Sequence, residues 1–355
     1  MIIFWSVFIV FSMAILLILV IKAFNRLKIK IASGSGIQES IYVKIGGIQQ
    51  YIKIRGNDRD NPIILFMHGG PGNPMSYLTY HYQSRLESDY TLVHWDQRGS
   101  GRTYYENKKH FDIPTFETLL LDMDELVDYL LKRFQKEKVI ILAHSWGTVL
   151  SREYVNLRNN KVESYVSVSQ VVNVIEGTKI MAKLALDKAR SVNKKDAIKI
   201  SRLIDIVCNI DNFDIRLMDE YVKLRMLIVK YLNYEKQRSF LTNIWCGITS
   251  PEFSYRDFKW YVMSILNIGK FAKVQESLIE YCFNFDIFKH SAEYNVPVSF
   301  LASVNDCVTP AVLIKEYFKS IKAPDKKIIV FNDTGHSPHL ETPDKFCLAI
   351  KELLS

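Results

Sequence analysis

VIILAHSWGTVL, from Val139 to Leu150, is the stretch that decides how the rest of the chain is read. Val139 to Leu142 is an unbroken apolar run, the pattern of a strand buried on both faces. Ser145 follows at once, with small residues two before it (Ala143) and two after it (Gly147), and a helical pattern then continues through Leu150 and Tyr154. A strand that turns this tightly into a helix has room only for small residues at those flanking positions. It holds the serine Oγ exposed above the carboxyl edge of the sheet, as a nucleophile elbow does. A serine at the start of a helix is also an ordinary N-cap, so the surrounding chain has to discriminate.

Similar buried runs recur at Ile63 to Met67, Tyr90 to Trp95, Tyr165 to Ser169, Val298 to Ala302 and Lys327 to Phe331, and Gly46-Gly47 joins two shorter alternating runs, Ile41 to Ile45 and Gln49 to Ile54, as a hairpin would. Between them Thr115 to Phe134 places Phe116, Leu119, Leu120, Met123, Leu126, Val127, Leu130, Leu131 and Phe134 on one stripe at helical spacing, with Thr115 as N-cap. Strands alternating with amphipathic helices predict an α/β fold with a mostly parallel sheet. From about Glu176 to Asp286 the rhythm breaks into long helical patterns without a buried strand, which reads as an inserted helical cap.

Three further stretches surround Ser145 with chemistry. His68-Gly69-Gly70-Pro71-Gly72 follows the Ile63 to Met67 strand, where a backbone N–H is needed to complete an oxyanion hole, and Gly70 and Trp146 are the expected donors. Asp96-Gln97-Arg98-Gly99-Ser100-Gly101 closes the next strand, and Asp96 and Arg98 are expected to buttress the glycine loop through hydrogen bonds. Asp306 lies just after one late strand and His336 just after another, so the order serine, aspartate, histidine supplies a nucleophile, an orienting acid and a base. His339 is a rival base; Asn305 cannot replace the acid, and Asp333 is too near His336 in sequence to be preferred.

Taken together, HGGPG, DQRGSG, SWG, the late Asp306 and GHSPHLETP resemble the α/β-hydrolase superfamily, and specifically its proline iminopeptidase-like serine peptidases. The resemblance runs from about Ile41 to the C-terminus and is weakest through the cap. It implies a mostly parallel eight-stranded sheet flanked by helices, with an inserted helical cap, and an aminopeptidase that releases N-terminal residues, often proline, from short peptides. It also implies no metal or cofactor, and cap carboxylates that hold the substrate's free amino group. Tyr231-Leu232-Asn233-Tyr234-Glu235 is similar to the segment that bears one of these carboxylates, with Tyr in place of Trp, which makes Glu235 the substrate-binding candidate; Glu252 or Glu276 would be a second. A carboxylesterase or lipid-directed hydrolase with the same three residues, and a noncatalytic binding module on this fold, are the competing expectations. Dehalogenase and epoxide hydrolase chemistry needs a carboxylate at the elbow, where this chain has a hydroxyl.

The N-terminus departs from the family pattern. Ile2 to Ile21 carries no charge, and about 1.5 Å of rise per residue over that run spans roughly the 30 Å hydrocarbon core of a bilayer. A cleaved signal would have a basic residue before a shorter run and a small-residue cleavage site. The expected organisation is therefore a transmembrane anchor at 1–24, a linker at 25–40 that includes the flexible-looking Ala32 to Gly36, a core in two parts at 41–175 and 287–355, and the cap at 176–286. The net charge of +8 owes four of its positives to Lys22, Arg26, Lys28 and Lys30. That cluster points to a cytoplasmic catalytic domain by the positive-inside rule and leaves little support for nucleic-acid binding. The five cysteines, Cys208, Cys246, Cys282, Cys307 and Cys347, are scattered without zinc-ligand or disulfide spacing and read as apolar filler. The expected partners are a small peptide or ester and the lipid bilayer.

Overall fold

A computed structural model describes residues 1–232 and 240–355. Eight strands among them form one sheet in the order β1-β2-β4-β3-β5-β6-β7-β8: β1 (Ile37–Ile45), β2 (Ile48–Gly56), β3 (Ile63–Met67), β4 (Thr91–Trp95), β5 (Val139–His144), β6 (Val162–Val168), β7 (Val298–Ser303) and β8 (Lys326–Phe331). The β1–β2 hairpin and the β2–β4 pair are antiparallel, and every other neighbour is parallel. The central strands are buried on both sides because alternate residues of one strand enter different cores, whereas β1 and β8 at the edges are only partly buried. Leu65, Met67, Ile141 and Ala143 join one apolar cluster, whereas Ile64, Phe66, Ile140 and Leu142 join the other.

Before the elbow, α2 (Phe116–Phe134) covers the first of these faces, where α1 is the N-terminal helix Ile2–Lys28. Phe116, Leu119, Met123, Leu126, Val127 and Leu130 of α2 are buried, while Leu121, off the stripe, is 68% exposed. Thr115 caps the helix by accepting from the Thr118 N–H at 3.2 Å, and Gln135 ends it in the left-handed conformation. After the elbow comes α3 (Trp146–Leu157). Between β6 and β7 the chain runs through α4 (Val174–Val192), α5 (Lys194–Val207), α6 (Met218–Leu232), α7 (Phe240–Thr249), α8 (Tyr255–Leu266) and α9 (Ile268–Asn284). The five cysteines are all buried.

The apolar N-terminal run forms α1, of which Phe4–Lys28 is long and apolar enough to cross a membrane and buries none of its apolar window against the rest of the chain. The stretch after it is shorter and more ordered than a flexible tether. The helix continues to Lys28, the first strand already begins at Ile37, and Ile29 is buried with its carbonyl oxygen accepting from the Arg55 guanidinium. Side chains at the end of α1 also grip the fold: Asn25 Nδ2 donates to Thr249 O at 3.0 Å and Arg26 Nη2 to Pro251 O at 3.1 Å. Sequence alone missed this because glycine and serine at 32–36 suggest flexibility, whereas their ends are fixed by contacts distant in the chain.

Candidate active site

β5 ends at His144, and Ser145 turns the chain into α3 with φ 52° and ψ −123°, a conformation costing a non-glycine residue roughly 1–3 kcal/mol. The turn is held from both sides: Ser145 N–H donates to Val168 O at 3.1 Å, and Ser145 O accepts from Thr148 N–H at 2.8 Å and Thr148 Oγ1 at 2.6 Å. Gly147 is needed here, because a Cβ on it would lie 2.4 Å from Met67 O and 2.9 Å from His68 O, both backbone atoms that cannot move aside. Ala143 fits fully buried in the first small position.

Three residues from distant stretches meet at this turn. His336 Nε2 lies 2.9 Å from Ser145 Oγ, and His336 Nδ1 lies 2.8 Å from Asp306 Oδ2. Asp306 is 1% exposed yet fully supplied with donors: besides the imidazole it accepts from Val308 N–H at 2.7 Å, Thr309 N–H at 2.9 Å and Thr309 Oγ1 at 2.6 Å. Burial alone would raise its pKa; the His336 ring and the Thr309 bonds outweigh it and hold the group down at about 2, so it is an anion at neutral pH.

The backbone of His336 is clamped as firmly as its ring. Its carbonyl oxygen accepts from His144 Nε2 at 2.7 Å and from Ser169 Oγ at 3.1 Å. The amides on either side, Gly335 N–H and Ser337 N–H, donate to the two oxygens of Glu341 at 2.6 and 3.0 Å. None of these three partners was singled out from the sequence. Glu341 stood inside the GHSPHLETP stretch and could have been found from its spacing; His144 and Ser169 reach His336 only through the packing of β5, β6 and the loop after β8. Burial and the neighbouring His336 push the His144 pKa down to about 3, so the ring is neutral. His339 is fully buried with Nε2 3.2 Å from Met75 Sδ and packs edge-on against Tyr82, and Asp333 pairs with Lys345 at 2.7 Å, so neither takes the place of His336 or Asp306.

The glycine loop after β3 abuts Ser145: a Cβ on Gly69 would lie 3.1 Å from Ser145 Cβ and 3.0 Å from His144 Nδ1. Gly70 has φ +125°, a backbone shape that favours glycine, and Trp146 opens α3, so its N–H belongs to the helix's first turn and has no intrahelical acceptor. The loop's supports differ from the expected ones. Arg98 turns away, donating to both oxygens of Asp122 (2.7 and 2.9 Å) and to Gly46 O, because a buried carboxylate on α2 and the β1–β2 turn lie within its reach. Asp96 does tie the two segments together, accepting from Ser76 Oγ at 3.0 Å and Arg102 N–H at 2.9 Å. Further braces are Trp260 Nε1 to Gly72 O (2.8 Å), Gln275 Nε2 to Gly99 O (2.6 Å) and Trp146 Nε1 to Gln97 Oε1 (3.2 Å).

Of the carboxylates considered for an ammonium group, Glu235 lies outside the described residues. Glu252 is paired to Lys53 and lies 3.9 Å from Arg55, which satisfies its charge internally. Glu276 is half-buried on α9, next in sequence to Gln275.

An eight-stranded, mostly parallel sheet with a strand–serine–helix turn at its centre is the α/β-hydrolase fold. The family described as "Serine aminopeptidase, S33" matches residues 59–213. A probable aminopeptidase of Bacillus subtilis, YbaC, is 28% identical over 304 residues, covering 86% of this chain and 92% of the relative. A proline iminopeptidase of Heyndrickxia coagulans is 23% identical over 317 residues, covering 87% and 96%. Among solved structures, a proline iminopeptidase-related protein of Thermus thermophilus shares the fold with a TM-score of 0.59 at 21% identity, over 90% of this chain and 97% of the other. The chain has the α/β-hydrolase fold and is similar to aminopeptidases of the proline iminopeptidase type over most of its length.

Proposed function

We propose that this chain is a membrane-anchored serine hydrolase that removes N-terminal residues from short peptides. The observation that carries the reading is the continuous path of hydrogen bonds from Asp306 through His336 to Ser145, at a strained turn beside a glycine loop.

His336 Nε2 takes the proton of Ser145 Oγ as that oxygen attacks the substrate carbonyl, and the Asp306 carboxylate stabilises the imidazolium that results. The Gly70 and Trp146 amides donate to the oxyanion of the tetrahedral intermediate. Its C–N bond then breaks, the imidazolium gives its proton to the leaving amine, and the acyl group stays on Ser145. Water, deprotonated by His336, attacks the ester; the free acid leaves and Ser145 recovers its proton. Glu235 and Glu276 are the candidates for holding the substrate's ammonium group. The apolar helix α1 is the anchor, and the cluster Lys22 to Lys30 favours a cytoplasmic active site.

The test is labelling of the full-length protein with a serine-directed phosphonate, followed by turnover of an amino-acid arylamide against an acyl ester of the same leaving group. Ser145 should carry the adduct, Ser145→Ala should abolish nearly all turnover, and the arylamide with a free amino group should be preferred. Adduct elsewhere, or substantial turnover by Ser145→Ala, refutes the nucleophile; preference for the ester replaces the aminopeptidase by an esterase.

A further inference from the structure

The end of α1 is fixed to the end of α7, and this sets where that part of the helical segment lies relative to a bilayer. Asn25, which donates to Thr249 O, is four residues beyond Ile21, so about 6 Å along the helix axis separates the last residue of the apolar run from the C-terminus of α7. The headgroup layer on each side of a hydrocarbon core is roughly 5–8 Å deep. The C-terminal turn of α7 is therefore at headgroup depth whenever α1 spans.

What α7 and α8 present there is apolar. A cavity of about 230 Å³ opens between them, lined by Ile244, Gly247 and Ile248 on α7, by Phe258, Val262 and Leu266 on α8, and by their apolar neighbours, with no charged side chain on its wall among the described residues. Ile248, Phe258 and Leu266 are 37%, 51% and 79% exposed at its rim, and Trp245, one turn before Ile248, is 49% exposed. Tryptophan is the residue that membrane interfaces favour. Lys28 and Lys30, beyond the uncharged run that ends at Ile21, supply positive charge for anionic headgroups. Tyr77 and Tyr261 form a wall shared with a second cavity, which reaches Asn73 at the glycine loop and Ser337 beside His336.

We propose that the α7–α8 face is a second membrane contact, seated in the headgroup layer of the leaflet where α1 emerges, and that its cavity holds an acyl chain of a phospholipid from that leaflet. The proposal rests on the reading of α1 as a membrane anchor and adds a surface that the anchor alone does not require. It places the Tyr77–Tyr261 wall between the lipid and the reaction site.

The test uses the full chain carrying Trp5→Phe, because Trp5 lies in the apolar part of α1 while Trp95, Trp146 and Trp260 are at most 4% exposed, leaving Trp245 as the reporter. Reconstituted in phosphatidylcholine vesicles with brominated acyl chains, the protein should lose most of the Trp245 emission seen in plain vesicles, and the further change Trp245→Phe should remove that loss. A phosphatidylcholine bearing a diazirine on its acyl chain should crosslink to peptides containing Ile248, Phe258 or Leu266, and Val262→Trp, which fills the cavity, should suppress that crosslink. Flotation of the vesicles reports α1 separately. Protein that floats with unquenched Trp245 and crosslinks only through α1 overturns the second contact and leaves the anchor standing; protein that fails to float overturns both.

Discussion

Acidification should destabilise this fold through three imidazoles that are buried in the neutral form. His68 Nδ1 donates to Gly69 O at 2.8 Å, which leaves Nε2 to face the Gln97 N–H; His94 Nε2 donates to Gln83 Oε1 at 2.7 Å; His144 Nε2 donates to His336 O at 2.7 Å, with Nδ1 buried and unpartnered. A second proton on His144 would enter a site without an acceptor, and burial opposes a second proton on the other two rings. Burial accordingly pushes His68 down to about 4, His144 to about 3, and His94 well below its ordinary value of 6.5. Because the folded pKa is depressed, the unfolded chain binds the protons first, and stability is lost as pH falls from about 6.5 toward the folded values. At about pH 5 His68 and His144 each cost about 2 kcal/mol relative to pH 7.5, and His94 acts in the same direction. Asp96 works in the opposite sense: burial and the neighbouring Asp257 raise it to about 7, so it resists ionisation in the fold, and acidification over the same range returns about 2 kcal/mol. The diagnostic quantity is therefore a difference between proteins. His144→Gln should be less stable than wild type at pH 7.5, and the gap should shrink by about 2 kcal/mol at pH 5. Urea unfolding of the full chain in detergent micelles, followed by tryptophan emission at both pH values, measures it. A gap that stays constant or widens would refute the assignment of His144 as a neutral buried ring.

Two substitutions probe the turn and its base. Asp306→Asn should keep the fold but lower kcat by roughly 10⁴ with little change in KM, because the amide can no longer hold the productive His336 tautomer; steady-state kinetics on the arylamide check it, and a loss confined to KM would contradict the role. Gly147→Ala drives a Cβ to 2.4 Å from Met67 O and should cost about 1–3 kcal/mol or prevent folding, read as a lowered Tm in micelles. An unchanged Tm would mean that the turn is looser than its geometry.

The sheet was legible because each central strand is a continuous apolar run, and the order of Ser145, Asp306 and His336 was legible because each sits at the end of such a run. Strand ends were less so: β1 starts at Ile37, four residues before its expected beginning, because its first pairings run from Ile37 with Gly56 to Ser40 with Lys53 and follow the partner strand rather than any local alternation. Arg98 shows the limit of motif reading. Its neighbours in sequence suggested support for the glycine loop, but its charge is drawn to Asp122, a buried carboxylate supplied by α2 that nothing in the local stretch announces. The brackets on His336 from His144, Ser169 and Glu341 are likewise products of tertiary packing, apart from the short-range Glu341.

The grip of Asn25 and Arg26 on Thr249 and Pro251 makes α1 and the hydrolase body one lever. Hydrocarbon thickness governs how far a spanning helix leans, with tilts averaging about 20°. Leaning would swing the whole body, raising or lowering Ser145 relative to the lipid surface. On the proposed reading, in which α1 spans a bilayer and Ser145 is the nucleophile, the acyl length of that bilayer would then act on turnover without any molecule touching the reacting atoms.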